Sequence, residues 1–316
     1  MTSASNDTSR TGAPPGAAWI EVRVVVPIGW HELVAEALAF EPCTSVAFGR
    51  TSIGMDPAPE GHDYVRTFYA AHFDSESLRA SVRARLADLA RTSVTKELED
   101  LEVIYRTLPA EDFATSWKKT WRPFRVGRIC VLPPDFEYEL RPDERRLNLE
   151  PGGVFGTGRH ATTRTVLRVL QSTVRDGDRV IDAGAGTGIL GVAAALLGAG
   201  PVYGFDIDPN SPNAATLLAQ GSGVADRCNF VAGGFERLQS GPIPADGLTA
   251  NIYADVLQEY APAMAQALRP DGWFVFSGCL DDHAPETRVA LAAAGLRIEG
   301  EYPRGRWYTL AGRRES

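Results

Sequence analysis

The 316-residue chain is 44% hydrophobic and carries a formal net charge of −8 at pH 7. It therefore has enough apolar material for two domains with separate cores, and an acidic balance that argues against free nucleic acid as its main partner. There is no run of about 18 apolar residues to span a bilayer and no apolar signal-peptide core at the N-terminus. Four scattered cysteines, at 43, 130, 228 and 279, form no Cys-x-x-Cys pair, so neither a disulfide framework nor a zinc site is indicated and a reducing cytoplasm is the natural reading.

Residues 1–17 are rich in Ser, Thr, Gly, Ala and Pro, have little to bury, and are expected to form a disordered tail. A first domain spans 18–108. Residues 19–27 alternate as a strand through Ile20, Val22, Val24 and Val26, and residues 31–40 show helical spacing at Leu33, Val34, Ala37 and Leu38. Strands at 45–48 and 64–71, a helix over 78–90 with Val82, Leu86 and Leu89 on one face, and a strand at 101–106 complete the order β-α-β-β-α-β of a smaller, ferredoxin-like α+β domain. Over 109–124, Phe113, Trp117 and Trp121 recur four apart, as in an amphipathic linker helix whose aromatic stripe is read as packing.

The second domain, 125–316, opens with a strand pair at 128–132 and 146–150. Gly152, Gly153, Gly156 and Gly158 then precede a helix with Val166, Leu167, Val169 and Leu170 on its face. Thr162 or Thr163 is the expected N-cap, and so many glycines suggest backbone wrapped closely around a ligand. Val180 and Ile181 read as a strand buried on both faces that stops at Asp182. Gly184, Gly186 and Gly188 follow, and helical spacing resumes at Leu190, Val192, Ala193, Leu196 and Leu197. The dinucleotide fingerprint needs its third glycine at the position held here by Ile189, which disfavours a nicotinamide dehydrogenase. The Gly-x-Gly-x-Gly form, with an acid two positions before it, resembles instead the S-adenosylmethionine loop of class I methyltransferases.

A second strand, 202–208, ends in carboxylates about 20 residues beyond the glycines, where an acid can accept hydrogen bonds from both ribose hydroxyls, and Asp206 is the residue chosen for that role. Asp208, before Pro209, is read as an N-cap. Strands at 229–232, 248–253 and 272–277, a helix over 284–294 and an antiparallel pair at 296–302 and 306–311 complete a doubly wound α/β sheet, with its ligand site at the carboxyl ends of the strands.

Five groups of residues converge on one family: Phe155-Gly-Thr-Gly-x-His160-x-Thr162-Thr163, Asp182-x-Gly-x-Gly-x-Gly188-Ile-Leu, Asp206-Ile-Asp-Pro209, Asn251-Ile and Ser277-Gly278. Together they resemble the bacterial ribosomal protein L-eleven methyltransferases, strongly over residues 110–312 and by domain order alone over 19–106. The resemblance implies a class I, Rossmann-like fold, S-adenosyl-L-methionine as cofactor, and contacts to it from Thr163, Gly184, Asp206 and Asn251, with Phe155, Gly156 and Thr157 added. The glycine loop brings in Asp182, Gly186 and Gly188. Gly153, Arg159 and the asparagine-free stretch 217–222 depart from the family pattern and bear on the substrate more than on the reaction.

Methyl transfer to an amine is an in-line displacement, so the site must present a neutral nitrogen. A lysine of pKa about 10.4 costs about 4.6 kcal/mol to deprotonate at neutral pH. Asn251, at a strand end, offers a side-chain carbonyl to orient the amine. His160 is either a general base or an anchor of the 155–163 loop, with the anchoring role preferred, and Tyr253 either flanks the amine or packs. The leading reading is a protein lysine or α-amino methyltransferase, monomeric and cytoplasmic, whose first domain grips a basic ribosomal protein. The alternatives are another protein substrate, or a cofactor-binding module without transfer activity. No metal site, membrane contact or direct nucleic-acid contact is expected.

Overall fold

The computed structural model describes residues 19–38, 43–49, 58–70, 75–92, 96–108, 123–149, 158 and 160–316. The tail expected over 1–17, the linker helix up to residue 122, and Phe155, Gly156 and Thr157 lie outside the described residues. The chain divides into two compact units, Met1–Trp121 and Arg122–Ser316.

In the first unit the elements are β1 (Trp19–Pro27), α1 (His31–Leu38), β2 (Cys43–Gly49), β3 (His62–Ala70), α2 (Ser75–Thr92) and β4 (Val103–Leu108). The sheet order is β2-β3-β1-β4, with antiparallel neighbours throughout. The alternation read in β1 decides which face is core. Ile20, Val22, Val24 and Val26 pack with Val34 and Leu38 of α1 and with Leu78, Val82 and Leu86 of α2. The residues between them include Glu21 and Arg23, joined at 2.7 Å with side chains 2% and 4% exposed, so the opposite face of the strand buries an ion pair.

The second unit begins with a small sheet, β5 (Phe124–Val126), β6 (Ile129–Leu132) and β7 (Arg145–Asn148), in that order. β5 was not foreseen: Phe124, placed at the end of the linker helix by its sequence, follows Pro123 into a hairpin closed by Gly127 at φ 55°. Then come α3 (Ala161–Thr173), β8 (Val180–Ala183), α4 (Ile189–Leu196), β9 (Val202–Asp206), α5 (Ser211–Gly221), β10 (Cys228–Ala232), β11 (Ala245–Asn251), α6 (Ala254–Ala267), β12 (Leu268–Leu280), α7 (Ala284–Ala293), β13 (Leu296–Arg304) and β14 (Trp307–Arg314). They build a seven-stranded sheet of order β10-β9-β8-β11-β12-β14-β13. The first five strands are mutually parallel, and β14 runs antiparallel between β12 and β13.

Strand order therefore reverses between β8 and β11, the place where an open α/β sheet leaves a crevice beyond its strand ends. Ala183 is in register with Ala250, so the glycine turn after β8 and Asn251 at the end of β11 emerge side by side. Phe274, Phe276, Leu248, Leu257 and Met264 fill the core on one side of this sheet. At the opposite strand ends Asp246 accepts from Arg179 at 2.8 Å and Arg269 at 2.7 Å, and these hydrogen bonds, with the backbone N–H of Arg179, hold its carboxyl well below the usual carboxylate range.

Candidate active site

β8 must turn sharply at its end, and the sequence supplies residues that can. Gly184 has φ 70° and lies so close to Ile252 that an added Cβ would sit 2.4 Å from its Cγ2. Gly188, at φ 76°, would bring a Cβ within 2.6 Å of the Ala215 Cβ. The turn is pinned from β9, where the Phe205 carbonyl accepts from Gly184 N at 2.9 Å and Ala185 N at 3.0 Å. The result is a backbone cradle at the N-terminal, positive end of α4. Gly158 lies against the same end, its Cβ direction 2.5 Å from the Ile189 Cδ1.

Two carboxylates back the cradle. Asp206, at the end of β9, accepts from Gly186 N at 2.7 Å through Oδ2 and from Asp208 N at 2.9 Å through Oδ1, so it is oriented by backbone and keeps lone pairs free. Asp182 is fully buried; Gly191 N donates to its Oδ2 at 2.8 Å, and Oδ1 has no hydrogen-bond partner. Burial pushes this carboxyl up to about 7 against the opposing Gly191 hydrogen bond, and the Asp206 charge adds to the rise. Gly191 has to be glycine for the approach, since a Cβ there would meet Asp182 Oδ2 at 3.0 Å. Burial also pushes the Cys228 thiol up to about 12, and the Asp182 charge adds to it.

On the other side of the crevice, Asn251 Nδ2 donates to Thr163 Oγ1 at 3.2 Å. This bond joins two residues 88 positions apart in sequence and fixes the amide with Oδ1 turned away from Thr163 and no donor on it among the described residues. Thr163 is buried and belongs to the first turn of α3. The cap of that helix corrects the expectation of Thr162 or Thr163: His160 is the N-cap, its Nδ1 accepting from Thr162 N at 3.3 Å and lying 2.5 Å from Thr162 Oγ1. Its ring meets Trp307 edge-on at 5.0 Å. His160 is thus engaged with the first turn of α3. Asp208 is likewise not the N-cap of α5; that is Asn210, whose N–H donates to Asp208 Oδ1 at 2.8 Å in a turn ahead of the helix.

Sequence reasoning missed Ile207. It is 83% exposed between Asp206 and Asp208, an aliphatic surface at the mouth of the crevice, and only the course of the chain after β9 reveals that it faces out. It also missed the support under Asn251: Ile252 N donates to Ser277 O at 3.0 Å, and Ser277 Oγ is 2.7 Å from Thr309 Oγ1. Tyr253, at the N-cap of α6, is 57% exposed.

A glycine turn with no room for a Cβ at Gly184 or Gly188, an acid at the end of β9 and an exposed aliphatic neighbour fit S-adenosylmethionine, and the sheet order with its antiparallel β13–β14 pair makes this unit a class I S-adenosylmethionine-dependent methyltransferase. The family model "Ribosomal protein L11 methyltransferase (PrmA)" matches residues 18–315, and the chain belongs to that family. It is 42% identical to the ribosomal protein L11 methyltransferase of Pelotomaculum thermopropionicum over 66% of this chain and 67% of that one. It is 32% identical to that of Chloroflexus aurantiacus over 94% of this chain and 98% of that one. The solved structure of ribosomal protein L11 methylase from Lactobacillus delbrueckii subsp. bulgaricus covers 62% of this chain and 99% of its own, at 28% identity and a TM-score of 0.54. Among the described residues no helix is long and apolar enough to cross a membrane, and no group of three His, Cys, Asp or Glu could hold a metal ion.

Proposed function

We propose that this enzyme transfers methyl groups from S-adenosylmethionine to lysine or α-amino groups of ribosomal protein L11. The observation that carries the acceptor chemistry is the Asn251–Thr163 hydrogen bond, which leaves a carbonyl oxygen beside the glycine cradle to receive an amine N–H. The cofactor supplies an electrophilic methyl on a sulfonium. Gly184, Gly186 and Gly188 hold its amino-acid part by backbone, Asp182 props the cradle from beneath through Gly191, Asp206 takes the ribose hydroxyls, and Ile207 covers the purine.

Asn251 Oδ1 accepts a hydrogen bond from one N–H of the neutral amine and so aims the lone pair into the crevice, where the bound cofactor would supply the methyl carbon; a carbonyl orients the amine without competing as a base. His160 caps the start of α3, and its engaged Nδ1 speaks for an anchoring role over proton abstraction. The first unit grips the protein substrate, and the reaction belongs to the cytoplasm, where ribosomal proteins are available. Incubation with methyl-tritiated S-adenosylmethionine and recombinant L11, followed by peptide mass spectrometry, should place the label on amine nitrogens. Label-free L11 from an enzyme that binds the cofactor by calorimetry would refute the substrate, and label on another atom would refute the acceptor.

A further inference from the structure

Gly152, Gly153, Gly156 and Gly158 allow the backbone ahead of α3 many conformations. Binding a ligand there carries a large ordering cost unless packing holds the chain beforehand. At Gly158 that packing is visible. The residue has φ 71°, and a Cβ added to it would meet the Ile189 Cδ1 at 2.5 Å and the tip of the Phe124 ring, with Cζ at 3.0 Å and Cε1 at 3.9 Å. Gly158 therefore touches both the first residue of α4, next to Gly188 of the cradle, and the para carbon of an aromatic ring from β5.

The ring is itself held from α3. The Arg164 guanidinium, from the first turn of that helix, lies 5.2 Å from the ring centre, within cation–π range. The β5–β6 hairpin that carries the ring is tied to the same helix by one side chain. Gln171 Oε1 accepts from Arg128 N at 2.7 Å, and its Nε2 donates to Val126 O at 2.9 Å and to Leu167 O at 2.8 Å. Gly127 at the hairpin turn leaves room for this amide, since a Cβ there would run into it. One helix thus carries Thr163, bonded to Asn251, in its first turn and braces the hairpin further along.

We propose that Phe124 is a positioning residue of the cofactor site: the entry hairpin holds its ring tip against Gly158, so that the segment leading into α3 lies against the N-terminal end of α4 before S-adenosylmethionine arrives. The proposal goes beyond the methyl-transfer reading and is independent of which acceptor is methylated. The place of contact sets this role apart from filling volume. A leucine at 124 would occupy the space nearest the strand but ends two bonds short of the para carbon, and so leaves Gly158 without that neighbour. A tyrosine keeps the ring and its guanidinium partner but aims a hydroxyl from the para carbon at Gly158. The glycine segment, with its many alternative conformations, gives way before the braced ring does. Preorganisation of the segment is then lost and the cofactor has to supply it.

The test uses the full-length protein and measures binding of S-adenosylmethionine and of its demethylated product, S-adenosylhomocysteine, by calorimetry, with melting followed by circular dichroism. The variants are Phe124→Leu, Phe124→Tyr and, as a control, Cys130→Ala. Cys130 is buried in β6 opposite Arg125, and so on the other face of the hairpin from Phe124. Both Phe124 variants should bind the two ligands about fivefold or more weakly than the parent, and Phe124→Tyr should do so while melting within about 3 °C of it. Cys130→Ala should bind within about twofold of the parent even where it melts lower. Should Phe124→Leu fail to fold, Phe124→Tyr against the control decides alone. Affinity within about twofold of the parent in the folded Phe124 variants would overturn the proposal. So would an equal loss in Cys130→Ala, or affinity that falls only in step with melting temperature across the variants, since either would reduce the effect to general loosening of the hairpin.

Discussion

Replacing Asp182 by Asn should change how the stability of the second unit responds to pH. The carboxyl is fully buried, has one oxygen without a partner, and is pushed up to about 7 by that burial against the Gly191 hydrogen bond, with help from Asp206. In the unfolded chain an aspartate titrates near 3.9, so the difference is about 3 units, or on the order of 4 kcal/mol. A raised folded-state value means the folded protein holds the proton more tightly. This contribution is fully present below about pH 4, is lost as pH rises towards 7, and is flat above that. Asn keeps an oxygen to accept from Gly191 N and cannot titrate. Its amide N–H group, set where Oδ1 had no partner, adds a pH-independent cost of about 1–3 kcal/mol. Urea unfolding of parent and variant at steps from pH 4 to pH 8 separates the two effects. The difference in unfolding free energy should move in favour of the variant by several kcal/mol across that range. Parallel stability curves would refute the assignment of a strained, proton-holding carboxyl.

Three other substitutions probe the site and its scaffold. Asp206→Ala should weaken S-adenosylmethionine binding by about 2–4 kcal/mol through loss of two charge-assisted hydrogen bonds, and unchanged affinity by calorimetry would mean that the ribose is held elsewhere. Asn251→Ala should cost about 1 kcal/mol in cofactor binding but about 100-fold in single-turnover rate at saturating cofactor; a rate within about threefold of the parent would make Asn251 structural. Asp246→Asn should destabilise the fold near neutral pH and flatten its acid sensitivity. Its carboxyl is held low in the folded state, so its contribution is present above about pH 4 and is lost as pH falls further. Acid unfolding with an unaltered midpoint would contradict this.

The sequence by itself determined the parts of this protein that depend on local rules. β8 was visible as a β-branched pair running into Asp182, β9 as an apolar run ending in acid, and the cradle as three glycines at fixed spacing, because a tight turn and a close ligand approach leave few other residue choices. The role of β1 in the core was legible from its alternation. Helix caps were not: Thr162 and Asn210 are as suited to capping as their neighbours, and whether His160 or a threonine takes the position depends on where Trp307 holds the ring. α6 was hidden by Pro262 within an alanine-rich stretch, and β5 by a helical aromatic spacing that Pro123 interrupts. Ile207 looks in sequence like one more strand residue, and its exposure comes from the bend after Asp206.

Only the tertiary structure decided which distant residues meet. It put β11 next to β8, and so brought Asn251 to the glycine turn and Thr163 to Asn251 across 88 positions. It stacked Asp182 behind Gly191 in a place that water cannot reach, which turned an ordinary aspartate into one titrating near neutrality. Propensity and periodicity act over a few residues and are written in the chain, whereas strand order, desolvation and charge clustering belong to surfaces that exist only once the chain has packed.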